Sequence, residues 1–198
     1  MYILEKLTDK LIKTQIIDEE EKELYVYGFK QGFILLINII TVIIIGLHFK
    51  MIWQSIVFMI SYSLLRAYAG GYHTSTQLRC YLFSIIMIMS VLWGLSQIPR
   101  NGTICFVITM ISGIIIFKLA PVEDQNKQLS QLEQTVFKER TNIILIILIG
   151  HIVLFWFIGL WEISTCISIA VFVMSIMLVL GKIKNNIREN NSSINDLE

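Results

Sequence analysis

Charge is scarce along this chain: Asp, Glu, Lys and Arg make up 16% of its 198 residues, 55% are hydrophobic, and the net charge is +1. A soluble domain of this size cannot bury so large an apolar share, so the composition excludes an ordinary globular protein. With a mean hydropathy of +0.69, it points to a membrane protein. There are only two prolines, and no Ser/Gly-rich linker interrupts the chain, which argues against a second, soluble domain. The three cysteines, Cys80, Cys105 and Cys166, are odd in number and widely spaced. They fit neither a disulfide framework nor a CxxC metal site, and neither a metal nor a cofactor is expected. No basic patch with interleaved aromatics is present, so nucleic acid is not an expected partner. The amino-terminal stretch lacks an uninterrupted apolar core, because Glu5, Lys6, Asp9 and Lys10 break it, and it does not read as a cleavable signal peptide. No acid lies between Arg66 and Glu123, which leaves a Ser/Cys-His-acid triad without a nearby third member.

What is present is a series of apolar blocks behind an amphipathic start. Ile3, Leu4, Leu7, Leu11, Ile12 and Ile16 recur at helical spacing over residues 1–23, with Lys and Glu between them. Four lysines there face seven acids, so a helix packed on a membrane-embedded bundle or lying in the interface is expected, without attraction to anionic lipid. Six apolar blocks follow: Gly32–Leu47, Met51–Leu65, Cys80–Gln97, Thr103–Leu119, Ile143–Leu160 and Ile163–Leu180. Some are short against the roughly 20 residues that a span needs. The second is expected to continue through Tyr68 or Ala69, with Arg66 snorkelling to the surface and Gly70-Gly71 ending it. The expected fold is therefore all-α: a polytopic membrane protein with six transmembrane helices and an N-terminal amphipathic helix. It is one membrane domain over 1–198, made of an amphipathic segment 1–27, a six-span bundle 28–181 with the loop 66–80, and a polar tail 182–198. With Lys118, at the end of the fourth block, counted in the loop that follows it, fourteen of the sixteen Lys and Arg fall in alternate segments from the amino terminus. By the positive-inside rule both termini and the 66–80 loop are cytoplasmic, on the reducing side where a free thiol persists.

The 66–80 stretch is where chemistry gathers. It holds Arg66, Gly70, Gly71, His73, Arg79 and Cys80. A cysteine attacks as the thiolate, and its ordinary pKa of about 8.5 falls beside cations or at a helix start; a helix is expected to open near Cys80. His73 is the nearest general base. On one continuous helix the two would share a face but stand about 10.5 Å apart along the axis, too far to hydrogen-bond. A helix that starts after His73 removes this obstacle, and Thr74-x-x-Gln77 matches a capping box with Thr74 as N-cap. Gly70-Gly71 lets the loop turn back. The local pattern leaves two readings, a Cys/His nucleophile pair or a packed thiol beside a hydrogen-bonded boundary imidazole.

Elsewhere, Pro121 is expected to stop the fourth span. Leu129, Leu132 and Val136 then suggest a short helix, with Lys127, Lys138 and Arg140 around it as candidates for contact with an acidic peptide. The Asn-rich tail from Lys182 reads as disordered. Cys105 and Cys166 read as small inert hydrophobes, His151 as the maker of an interhelical hydrogen bond, and His48 as a boundary residue.

Arg66, Gly70-Gly71-Tyr72-His73, the six-residue gap to Cys80 and Ala120-Pro121 two spans later resemble the accessory gene regulator B (AgrB) family of bacterial membrane endopeptidases, and the likeness covers nearly the whole chain. The resemblance implies a multi-pass protein of the bacterial cell membrane that needs no cofactor. It would cut an AgrD-like precursor peptide, with an amphipathic leader and an acidic tail, on the cytoplasmic side. Carried over, Cys80 is the nucleophile and His73 the general base and then acid; the peptide becomes an acyl thioester and cyclises to a thiolactone or lactone autoinducer. Arg66 and Gly71 become supporting positions, with Gly70 and Arg79 beside them, and the resemblance further implies a homodimer in contact with membrane lipid. Where the family often has Lys-Pro, this chain has Lys127-Gln128. The alternative is a multi-span peptide exporter or transporter subunit without catalysis.

Overall fold

The computed structural model describes residues 2–14, 17–72, 76–97, 103–123 and 129–195. Among these the chain is all-helical: α1 (Tyr2–Lys13), a 3-10 turn (Glu19–Glu21), α2 (Lys22–His48), α3 (Ile52–Ala69), α4 (Gln77–Gln97), α5 (Thr103–Leu119), α6 (Gln131–Phe157) and α7 (Trp161–Asn195). The chain falls into two compact units, residues 1–44 and residues 45–198.

In the first unit, the amphipathic start is shorter than its periodicity suggests. α1 ends at Lys13, where the Thr14 hydroxyl turns back to the carbonyls of Lys10 and Leu11, and α2 already begins at Lys22. The boundary expected at residue 27 therefore lies inside a helix. Lys22 and Asp9 form a 2.6 Å ion pair; both side chains are well exposed, so it adds little. Leu24, Tyr27, Phe33, Leu35 and Leu36 are exposed along α2, a surface that suits lipid rather than water.

The second unit is built around α7, which packs against α3, α5 and α6. Its core joins Leu65 and Ala69 of α3, Ile116 of α5, Leu145, Leu148 and Ile152 of α6, and Ile167, Val171, Met174 and Leu178 of α7. Small polar residues let α5 and α7 approach closely and bond across the interface. Thr109 Oγ1 lies 3.0 Å from Ser168 Oγ, and Cys105 Sγ lies 3.2 Å from Thr165 Oγ1. Cys105 is thus buried as expected but hydrogen-bonded rather than merely packed. His151 is exposed and takes its contact within its own helix, Nδ1 to the Ile147 carbonyl at 2.8 Å, in place of the expected bond to another helix.

All six apolar blocks are helices, but they do not qualify equally as spans. Among the described residues, four segments are long and apolar enough to cross a membrane: Glu19–His48, Leu78–Gln97, Gln131–Phe157 and Trp161–Arg188. The apolar part of α5, Cys105–Leu119, is shorter, and α3 carries Gln54, Arg66 and three serines in its 18 residues. Two expectations give way to longer helices. The short helix expected after Pro121 is the opening of α6 itself, begun by a capping box in which Ser130 Oγ accepts from the Glu133 N–H and the Glu133 side chain accepts from the Ser130 N–H. The tail expected to be disordered from Lys182 continues α7 to Asn195, because nothing at the boundary, neither proline nor a helix-ending glycine conformation, stops the helix.

Candidate active site

The site is assembled where three chain breaks meet. α3 ends at Ala69 because Gly70 takes φ +70° and Gly71 φ +106°, conformations open to glycine at no steric cost. α5 ends at Leu119, one residue before the Ala120-Pro121 peptide, which is cis. The two loops then pair: the Val122 N–H donates to the Ala69 carbonyl at 3.0 Å, and the Gly71 N–H donates to the Val122 carbonyl at 3.1 Å. This single parallel bridge between Gly70 and Val122 needs glycine, since a Cβ at position 70 would collide with the Val122 carbonyl.

The next amide, Tyr72 N–H, donates to the Met177 carbonyl of α7 at 3.0 Å. The loop carbonyls are met by Arg66, whose Nη2 donates to the Tyr72 carbonyl and whose Nη1 lies 3.5 Å from the Gly70 carbonyl. Rather than snorkelling outward, the guanidinium folds onto the loop it precedes and satisfies two half-buried carbonyls. Its carbon lies 5.9 Å from the Tyr62 ring centroid, and Tyr62, one turn earlier on α3, is stacked on the buried Phe58. The Arg66 guanidinium and Cys80 both lie near enough to the Tyr62 hydroxyl to interact with it electrostatically.

α4 opens at Gln77, later than the expected cap predicts. The Thr76 hydroxyl accepts from the Arg79 N–H at 3.4 Å, so Thr76 takes the N-cap role expected of Thr74. Cys80 stands in the first turn, half-buried, with its N–H bonded to the Thr76 carbonyl at 3.1 Å. Phe83, three residues on and on the same face, has its ring 6.0 Å from that of Tyr72. This contact brings the loop to within one helical turn of Cys80. Lys184 Nζ of α7 lies 5.0 Å from the Tyr72 ring centroid, within cation–π range. Asn185 Nδ2 donates to the Glu123 carbonyl at 2.9 Å, and Gln134 of α6 donates to the Glu123 carboxylate.

The structure therefore gathers Arg66, Gly70, Gly71 and Cys80 around one loop. Arg79 is exposed in the first turn of α4. Lys138 and Arg140 are exposed on α6, Arg140 lying 5.9 Å from the Tyr68 ring centroid at the end of α3. His73, Thr74 and Lys127 lie outside the described residues. No group of three His, Cys, Asp or Glu stands ready to hold a metal among the described residues. Sequence reading passed over Tyr62, Val122, Met177, Gly181, Lys184 and Asn185. The helical spacing of Met177, Gly181, Lys184 and Asn185 was the one available signal, and it does not show what they touch, since Val122 and Met177 act through backbone atoms.

The family model for accessory gene regulator B matches residues 4–178. The chain belongs to the accessory gene regulator B family. It is 33% identical over 132 residues to an AgrB-like protein of Clostridium perfringens strain SM101, a match covering 63% of this chain and 62% of that one. An AgrB-like protein of C. perfringens strain 13 is 32% identical with the same coverage. One of Halalkalibacterium halodurans is 26% identical, over 66% of this chain and 65% of that protein. The chain thus spans just under two thirds of the length of these AgrB relatives. No solved structure matches it. Gly181, Lys184 and Asn185 lie beyond the residues matched by the AgrB family model.

Proposed function

We propose that this chain is a membrane-embedded cysteine endopeptidase that cuts the precursor of a cyclic signalling peptide at the cytoplasmic membrane face and promotes ring closure. The observation that carries the reading is Cys80, half-buried in the first turn of α4, beside a loop held in place by Arg66, in a chain of the accessory gene regulator B family. In this reading all six apolar helices span the bacterial cell membrane, both termini are cytoplasmic, and the protein works in lipid as a homodimer. Lys127, Lys138 and Arg140 meet the acidic tail of an AgrD-like substrate.

Cys80 sulfur attacks the scissile carbonyl while His73 takes its proton, and His73 returns that proton to the leaving amine as the C–N bond breaks. The acidic tail departs and the rest of the peptide remains as an acyl thioester on Cys80. An internal peptide thiol then attacks the same carbonyl, forming a thiolactone, and the Cys80 thiol is regenerated. Exchanging one thioester for another is close to isoenergetic, so positioning the internal thiol and excluding water decide between ring and hydrolysis. A site at the edge of the apolar bundle serves both needs.

The test uses the full chain in detergent with synthetic peptides bearing an amphipathic leader, an internal cysteine and an acidic tail. Mass spectrometry should find an acyl adduct on Cys80, and Cys80→Ala and His73→Ala should each abolish cleavage while still inserting into membranes. Normal processing by either variant would falsify this mechanism.

A further inference from the structure

Met177, Gly181, Lys184 and Asn185 share one face of α7 by helical spacing, and all four meet the loops of the site. Met177 accepts from the Tyr72 amide, Lys184 lies over the Tyr72 ring, and Asn185 donates to the Glu123 carbonyl. Gly181 lies against the Gly71–Tyr72 peptide: a Cβ there would stand 2.9 Å from Gly71 C, 2.9 Å from Tyr72 N and 3.1 Å from Val122 Cγ1. Two of those three atoms are backbone and cannot rotate aside. Gly71 answers from the other side, where an added Cβ would come within 3.2 Å of the Met177 carbonyl oxygen and 3.4 Å of Arg66 Nη1. The loop and α7 therefore meet backbone to backbone, with no side chain between them.

Glycine is a poor helix former and alanine the best, and Gly181 is not among the glycines with positive φ. Its conformational freedom is not in use, so space is what the position requires. Gly94 of α4 makes the contrast, since a Cβ there meets nothing within 4 Å.

We propose that Gly181 is a positioning residue for the peptidase: the gap left by its missing side chain seats the Gly71–Tyr72 peptide on α7 and so sets where the chain entering His73 departs relative to Cys80. The proposal rests on the catalytic reading above. The Tyr72 ring, lying near Phe83 on α4 and Lys184 on α7, links that seat to the helix that carries the nucleophile. A catalytic base displaced by even about 1 Å costs on the order of a hundredfold in rate, so a methyl group that lifts this peptide reaches the chemistry without touching the substrate.

The experiment compares Gly181→Ala with Gly94→Ala in the full chain, using the same synthetic precursor peptides and amide hydrogen exchange. Gly181→Ala should lower kcat at least tenfold, leave KM within twofold, and speed exchange of the Tyr72 amide at least tenfold; Gly94→Ala should match wild type in all three. Wild-type kcat, wild-type protection at Tyr72, a loss confined to KM, or an equal loss in Gly94→Ala would each overturn the proposal. Should Gly181→Ala fail to fold, amide exchange of the wild-type chain decides: the Tyr72 amide, bonded to the Met177 carbonyl across the gap, should exchange at least a hundredfold more slowly than an unstructured amide, and unprotected exchange there overturns it. If wild type processes none of the peptides, the catalytic reading fails. Exchange at Tyr72 then still separates a seat at Gly181 from none.

Discussion

Replacing Arg66 by methionine removes the group on which the loop converges. The guanidinium donates to the Tyr72 carbonyl and reaches the Gly70 carbonyl at 3.5 Å while facing the Tyr62 ring. A hydrogen bond from a charged donor contributes about 1.5–3 kcal/mol. The 3.5 Å contact is at the limit of the geometry and adds about 0.5 kcal/mol, the low end for a hydrogen bond, and a half-exposed cation–π pair adds about 0.5–1 kcal/mol. Together these stabilise the closed loop by roughly 2.5–4.5 kcal/mol, and at about 1.4 kcal/mol per tenfold their loss multiplies loop opening by about two to three powers of ten. The assay is amide exchange at Gly71 and Tyr72, whose N–H groups bond to the Val122 and Met177 carbonyls. Both should exchange faster by about that factor, with helix content unchanged. Arg66→Lys should fall between, since a compact ammonium keeps the charge but lacks the planar fork that spans the Gly70 and Tyr72 carbonyls. If Arg66→Met leaves both amides as protected as in wild type, the loop is held by Val122 and Met177 alone and the role assigned to the guanidinium is wrong.

Two further outcomes follow from the same geometry. Gly70→Ala should cost about 1–3 kcal/mol for a backbone conformation, φ +70° and ψ −130°, that side chains rarely adopt, and more for the collision with the Val122 carbonyl; loss of exchange protection at Val122 together with loss of processing is expected, and a variant that processes normally rejects the bridge as a requirement. The Thr109–Ser168 bond joins α5 to α7 inside the apolar bundle, so a double-mutant cycle with Thr109→Val and Ser168→Ala should give a coupling of about 0.6 kcal/mol by thermal or denaturant unfolding in detergent, whereas additive single effects would show that the pair is not coupled.

The helices were legible because their causes are local. Apolar runs, Gly70-Gly71 and Pro121 set where α3 and α5 stop, and the structure stops them there. Errors clustered where local pattern and continuation compete. The Asn-rich tail is mostly polar, and its Ile183 and Ile187 stay exposed, yet it extends α7 because a helix already nucleated adds residues at low cost. A hydroxyl before Gln77 was legible as a cap, and Thr76 supplies one to the Arg79 N–H; Thr74 lies outside the described residues. At the site, Arg66, the glycine pair and Cys80 could be singled out from residue type and spacing. Arg66's partners could not, since they are carbonyls that every residue possesses.

The sequence by itself determined an all-helical, lipid-compatible chain, a loop able to turn sharply after α3, and a thiol at the head of α4. These follow from hydrophobicity and backbone freedom, which act over a few residues. Only the tertiary structure decided that Val122, from a loop some fifty residues distant in the chain, and the Met177–Asn185 face of α7 hold that loop. Their contacts run through backbone atoms and through the empty space at Gly181, and neither leaves a mark on residue type that a one-dimensional pattern can carry.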